Sequence, residues 1–378
     1  HANVAGIDAA KNISSIDIVS YHPEGETVIH DILERFSKQN FNREIFLNDL
    51  NIMKNIKGII FKKKGEIIKN LPGEIIKNLD FLPLPARDLF PIERYVPLPN
   101  QYKKLPMTNM VVIRGCPYVC TFCDQAATTA RRRSPKKVLE EIKDVVEKYG
   151  VKEISFWDDT MSYHKKWMKE FCNLLIEAKL NIIWSCYAAV NTVNQEILHL
   201  MKKAGCWNIF YGYETGVPKL TENIKTNRKN KSMEHMMEVA KWTKKAGIEV
   251  RGSFMIALPG ETPELAEQTI KDALKLDPEY AQFSIATPYP GTALYDEIKK
   301  GMWGKLTTEN FTEYQGWNVV FLPEGYKNKE EVLKMSRKAF KSFYIRPRYI
   351  IKAILNIRSL EDIKRYFKGF KALVKGFV

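Results

Sequence analysis

From about residue 108 to 300 the sequence runs six times through one pattern: a short apolar run, a polar or glycine-bearing turn, then an amphipathic stretch of helical period. MVVIRG precedes KKVLEEIKDVVEKYG, EISFWDD precedes KWMKEFCNLLIEAK, and IIWSCYAA precedes NQEILHLMKKAG. NIFYGYETG, EVRGSFMIALPG and YAQFSIATPYPG are followed in the same way by SMEHMMEVAKWTKKAG, TPELAEQTIKDALKL and TALYDEIKKG. Short apolar strands joined by crossover helices build a parallel sheet covered on both faces. The chain is therefore α/β, and six such units predict a partial (β/α)6 TIM-like barrel. Its site is expected at the C-terminal ends of the strands, where the connecting loops gather.

The flanks differ. Residues 1–69 read as a smaller α/β unit, with GIDAAKN and EGETVIHDILERFSK helical and SIDIVSYH and IKGIIFK extended. Residues 70–107 carry seven prolines and no sustained period, which predicts an extended linker over the barrel surface. The barrel is expected over 108–302 and a basic helical extension over 303–378, broken at Pro347. The net charge of +15 is concentrated there: from Tyr326 onward 15 basic residues face 4 acidic ones. The rest is nearly neutral, so nucleic acid is not the expected partner. Within the extension, SLED at 359–362 is a capping box. Ile363, Tyr366, Phe367, Phe370, Leu373, Val374 and Phe377 follow at helical spacing, flanked by Lys364, Arg365, Lys368, Lys371 and Lys375. Such a helix suits peripheral contact with an anionic membrane, docking on a partner, or closure of the barrel's open side. No apolar run approaches the roughly 18 residues of a membrane span, and no signal peptide is visible. The chain starts at His1, so a missing N-terminal segment is expected.

Three of the six cysteines crowd into RGCPYVCTFCDQ, where Cys116, Cys120 and Cys123 stand as C-x3-C-x2-C. Cys172, Cys186 and Cys206 lie singly in apolar patterns and read as buried thiols. A disulfide scaffold is not indicated, and a reducing, cytoplasmic setting follows. Three clustered thiolates can bind zinc or three of the four irons of a 4Fe–4S cluster. Structural zinc asks for a fourth ligand, yet there is no second C-x2-C, and the nearest downstream histidine is His164. A cubane held by three cysteines leaves one iron open to a small molecule.

With Phe122 just before the last cysteine, and six β/α units around it, this arrangement resembles the radical S-adenosylmethionine superfamily. The resemblance covers 108 to 300. It implies a 4Fe–4S cluster on Cys116, Cys120 and Cys123, with S-adenosylmethionine chelating the open iron through its amino and carboxylate groups. It further implies reductive cleavage to a 5′-deoxyadenosyl radical that abstracts hydrogen from an unactivated C–H bond. Cofactor contacts are implied for Phe122 near the adenine, for Asp158 and Asp159 in FWDDT, and for Glu214 in YGYETG. Gly252, Ile256 and Gly260 of GSFMIALPG resemble the fifth-strand adenine-binding stretch, and Pro288 to Gly291 the sixth-strand turn. No residue is singled out for catalysis on the substrate itself. An external electron donor of ferredoxin or flavodoxin type is implied as partner.

The N-terminal residues and the linker, through LDFLPLPARDLFP, resemble the second half of a Rossmann-like cobalamin-binding domain from the cobalamin-dependent branch. That branch includes methylases of unreactive carbons, ring-forming enzymes of tetrapyrrole synthesis and lipid-modifying enzymes, which implies a small-molecule or lipid-like substrate. Cobalamin is then expected in a full-length parent. This chain, without the first half of that domain or its D-x-H-x-x-G motif, is expected to bind it weakly or not at all. A methylthiotransferase needs a second cluster from three further cysteines, and none precedes Cys116. A zinc-dependent nucleic-acid-binding module fits the basic tail but not the six units.

Overall fold

The computed structural model describes residues 2–22, 24–98 and 101–355, and beyond them 357, 363, 364 and 367. The chain divides into two compact units, His1–Asn78 with Pro290–Asp296, and Leu79–Tyr289 with Glu297–Val378.

In the first unit, strands Ile18–Ser20, Ile59–Lys63 and Glu66–Lys69 form a three-stranded sheet, flanked in sequence by helices Ala2–Asn12 and Gly25–Ser37. Both strand pairs are antiparallel, with Val19 opposite Ile60 and Phe61 opposite Ile68. This departs from the parallel, doubly wound arrangement expected of a Rossmann-like piece. The local cause is the two-residue turn Lys64–Gly65, with φ of +48° and +85°. Two consecutive residues at positive φ match the twist of a tight hairpin and turn the chain straight back. Val28, Phe46, Met53, Ile56, Ile59 and Phe61 are buried together beneath this sheet. The unit runs past residue 69, because the Asn70 Nδ2 donates to the Met53 and Ile56 carbonyls, each at 2.7 Å.

The second unit carries six parallel strands: β1 (Met107–Met110), β2 (Glu153–Phe156), β3 (Ile183–Ala188), β4 (Cys206–Glu214), β5 (Glu249–Ile256) and β6 (Tyr280–Ile285). Their spatial order is their chain order, as five successive crossovers of one hand require. The intervening helices are α1 (Pro135–Tyr149), α2 (Lys165–Ala178), α3 (Gln195–Lys203), α4 (Met233–Lys245) and α5 (Pro263–Leu276). Their bounds follow local chemistry. Ser134 caps α1 by accepting from the Lys137 N–H, Pro135 fills the first turn, and Gly150 ends it in the left-handed region. Asn194 and Ser232 cap α3 and α4 in the same way.

Side chains alternate along each strand. Phe156, Trp184, Ile209, Tyr211, Tyr213, Phe254, Ile256 and Phe283 join one large apolar core with the helices. Trp157, just past β2, with Tyr187, Phe210 and Arg251, belongs to the opposite, concave face. The register lines up Tyr187, Phe210, Arg251 and Tyr280 in one row across β3 to β6. Cys172, Cys186 and Cys206 are buried in the core, as expected.

Two boundaries differ from expectation. MVVIRG is not one strand: β1 ends at Met110, and Ile113–Arg114 leaves the sheet to pair antiparallel with Arg131–Arg132. The extension beyond 303 is not all helical, since Gly304–Leu306 and Phe321–Pro323 form an antiparallel pair. Helix α6 (Lys329–Tyr344) follows, and the Tyr344 hydroxyl donates to the Ala281 carbonyl and accepts from its N–H, at 2.6 and 3.1 Å. A side chain thus covers backbone groups on the outer edge of β6, which otherwise invite pairing with another chain. A further helix, Pro347–Leu355, starts at the expected break. SLED and the basic helix after it lie outside the described residues, save Ile363, Lys364 and Phe367.

Candidate functional site

Past Ile113–Arg114 the chain enters the cysteine loop through Gly115 (φ +90°). Only a glycine fits there, because a Cβ would stand 2.5 Å from the Thr129 carbonyl oxygen. The loop closes on itself: the Cys116 N–H donates to Thr128 Oγ1 (2.8 Å), the Thr128 N–H to the Cys116 carbonyl (2.9 Å), and the Ala127 N–H to the Tyr118 carbonyl (2.7 Å). All three cysteines are free, with Cys116 and Cys120 buried and Cys123 half-buried. Burial pushes all three thiols up, Cys123 to about 12. As bare thiols they stay protonated at neutral pH, so binding a metal would release protons. Three free thiols carried by one closed loop are a donor set that fits three irons of a cubane and leaves the fourth open.

Asp158 and Asp159 are committed to this loop. Asp158 Oδ1 accepts from the Val112 and Ile113 N–H groups, both at 2.6 Å, and Asp159 Oδ2 from the Gly115 N–H at 3.0 Å. This is why the first strand breaks after Met110: the next N–H groups point to a carboxylate instead of the sheet. Asp158 Oδ2 is enclosed and has no partner among the described residues. Burial raises the Asp158 carboxyl to about 7 although both N–H groups favour its charged form. The expectation of a cofactor contact by Asp158 is corrected accordingly: it faces backbone, sealed from any ligand. Asp159 is less enclosed, yet it too anchors the loop.

Glu214 ends β4 in the left-handed region at φ +61°, an uncommon conformation for a non-glycine residue. Its Oε1 accepts from Lys229 Nζ at 2.8 Å, with both side chains largely buried. Burial opposes the Lys229 charge. The Glu214 carboxylate, both as an opposite charge and as a hydrogen-bond acceptor, outweighs it and holds the ammonium above its ordinary range. A Cβ on Gly212 would lie 2.4 Å from Glu214 Oε1 and 2.5 Å from Lys229 Nζ, so a larger residue there would displace the pair. Lys229 was not foreseen, since it lies in the helical turn Asn227–Asn230 within a lysine-rich surface pattern.

Phe122 packs on a small apolar cluster of Val217, Leu220, Ile224, Met255, Leu258 and Ala286 at the C-terminal ends of β4 to β6. Gly252 and Ile256 need correction. Strand alternation turns both toward the helices: a Cβ on Gly252 would meet the Tyr213 and Phe254 rings, and the Ile256 side chain is fully buried in the main core. Met255, one residue earlier, is the one that meets the cluster under Phe122. Gly260 (φ +73°) shapes the turn, with Asn223 Nδ2 only 2.7 Å from where its Cβ would be. Glu261 was missed. It is fully buried, accepts from the Ala257 N–H and the Tyr326 hydroxyl, and burial raises its carboxyl to about 7. The available signal was an acid directly after an apolar strand and turn.

On the concave face a cavity of about 420 Å³ is walled on one side by Thr108, Ser155, Trp157, Tyr187 and Arg251, and on the other by linker residues including Arg87, Phe90 and Tyr95. The linker is therefore a wall of the site as well as a connection. Arg87 is fixed there by Glu141, which also pairs with Arg133.

The family model of the radical SAM superfamily matches residues 110–273. An uncharacterized methyltransferase of Pyrococcus horikoshii is 34% identical over 92% of this chain and 71% of its own length. The anaerobic magnesium-protoporphyrin IX monomethyl ester cyclase of Rubrivivax gelatinosus is 28% identical over 73% of this chain, which spans about half (49%) of that relative. Among solved structures, the cobalamin-dependent S-adenosylmethionine radical enzyme OxsB with aqua-cobalamin and S-adenosylmethionine bound superposes with a TM-score of 0.67. It is 14% identical and covers 100% of this chain and 57% of its own, a likeness of fold.

Proposed function

Because the chain belongs to the radical SAM superfamily, whose enzymes use a 4Fe–4S cluster and S-adenosylmethionine, we propose that Cys116, Cys120 and Cys123 hold that cluster. When bound, these cofactors supply a 5′-deoxyadenosyl radical that removes hydrogen from an unactivated C–H bond. The chain's residues do the positioning. Asp158 and Asp159 hold the backbone that leads into the cysteine loop. Phe122 and Met255 offer an apolar surface to the adenine. Glu214 and Lys229 form a buried charge pair suited to the ammonium and carboxylate of the bound amino acid.

The observation that carries this reading is the three-thiol loop tied to the sheet by two carboxylates, with a buried Glu214–Lys229 ion pair at the end of β4. Anaerobic reconstitution should give about four irons per chain, and Cys123→Ala should lose most of them. One zinc and no iron would overturn the proposal.

Methylation or ring closure at an unreactive carbon of a small-molecule or lipid-like substrate is the reaction we favour, supported by relatives named as a methyltransferase and a cyclase. An external electron donor of ferredoxin or flavodoxin type would reduce the cluster in the cytoplasm. Among the described residues no helix is long and apolar enough to cross a membrane. The basic C-terminal sequence is compatible with peripheral contact, and nucleic acid is not a proposed partner.

Cobalamin is proposed for a full-length parent. For this chain we expect weak binding: none of its six histidines stands in D-x-H-x-x-G, and His22 is already engaged with the Glu24 N–H and the Gly73 carbonyl. Equilibrium dialysis against hydroxocobalamin checks this. Stoichiometric micromolar binding would make the N-terminal residues a complete module.

A further inference from the structure

Arg251 is 6% exposed, lines the concave cavity, and has no hydrogen bond or ion pair among the described residues. Its guanidinium lies over the Phe210 ring at 4.7 Å, and Tyr187 completes the row beside it. An unpaired buried charge is destabilising, so something must compensate it in the working protein. Among the described residues no carboxylate lines the cavity. The other arginine on its wall, Arg87, is held by Glu141 at 2.6 Å. Arg251 is thus a planar guanidinium without a counter-ion among the described residues, set among aromatic rings and facing the cavity.

We infer that Arg251 is a substrate-recognition residue, binding the carboxylate of an organic acid whose flat or apolar body lies against Trp157 and Tyr187. A single guanidinium matches a carboxylate in bidentate fashion; a phosphate, which Gln101, Thr108 and Asn109 of the same lining would also serve, is the alternative that the phosphate probe separates. The position also limits the ligand's length. Arg251 lies four residues before Met255 on β5, or about 13 Å along the strand at roughly 3.3 Å per residue. Met255 touches the cluster under Phe122. A substrate anchored on Arg251 would therefore have to extend about that far from its carboxylate to meet the apolar surface under Phe122. This inference rests on the radical reading for its direction, but the subsite itself does not need a cluster.

The test uses the full chain and three probes of one shape: 2-naphthoate, 2-naphthamide and 2-naphthyl phosphate, titrated by calorimetry. The wild type should bind naphthoate roughly 10- to 150-fold more tightly than the amide, the range of a charge-assisted contact. Arg251→Met should abolish that preference and Arg251→Lys retain part of it. The melting temperature of Arg251→Met should stay at or above wild type, since an unpaired buried charge has been removed. Equal binding of acid and amide, a preference that survives Arg251→Met, or a fall of its melting temperature by several degrees would return Arg251 to a structural role. Tighter binding of the phosphate would overturn the choice of a carboxylate. Iron content of the wild type reports separately on the radical reading, so either conclusion can fail without the other.

Discussion

At the end of β2 two carboxylates accept from backbone N–H groups of the neighbouring loop; at the end of β4 one carboxylate accepts from a lysine. Both sites hold acids at the C-terminal edge of the same sheet, with Asp158 and Glu214 buried and Asp159 exposed, and they play different parts. Backbone donors are fixed in place, so Asp158 and Asp159 set the path of the chain into Gly115 and the cysteines. A lysine is a mobile charge on a long stem. On the proposed reading, Glu214 and Lys229 would separate and re-pair around a zwitterionic ligand, whereas Asp158 and Asp159 build the loop.

The largest expected effect breaks the building side. Asp158→Ala leaves two buried N–H groups without an acceptor, a cost of about 1–3 kcal/mol each. Chemical denaturation should register a loss of about 2–6 kcal/mol on that basis, and iron uptake should fall by more than half. Normal iron uptake by this variant would end the distinction between the two strand ends.

Glu214→Gln tests the other side. Glutamine still accepts from Lys229, so iron content should stay at the wild-type level. Affinity for S-adenosylmethionine should drop roughly 10- to 150-fold, as expected when a charged contact is lost. Unchanged affinity would make the pair structural, like Asp158.

The smallest effect sharpens the comparison with a third acid, Glu261, whose carboxyl is raised to about 7, chiefly by burial. In the unfolded chain it ionises near its ordinary value of 4.5. Between about 4.5 and 7 the unfolded state has lost the proton that the folded state keeps, so this group's contribution falls as pH rises through that window. Glu261→Gln should flatten that part of a melting-temperature profile against pH. A slope identical to wild type would show that Glu261 does not titrate there.

Much of the scaffold was written locally. The strand and helix periods, the caps at Ser134, Asn194 and Ser232 and the stop at Gly150 act over a few residues, and the six parallel strands follow from them. The C-x3-C-x2-C spacing likewise needs only one loop. The break of MVVIRG could not be read that way, because it depends on Asp158, more than forty residues later.

Duties of individual side chains were decided by the tertiary structure. Which face of β5 receives Gly252, Ile256 and Met255 depends on register, and a shift of one residue inverts the assignment. Glu214 is recognisable as an acid in an apolar strand, but its partner Lys229 is supplied by a helical turn whose own pattern reads as surface. The linker's prolines predicted an extended path; the structure interrupts it with 3-10 turns at Leu79–Phe81, Arg87–Leu89 and Ile92–Arg94, and packing makes it the wall of a cavity with Arg251 on its far side. Backbone geometry is set by short-range sterics and hydrogen bonds that a sequence carries with it. Buried charge is different, because its role depends on which groups come within a few ångströms after distant strands pair.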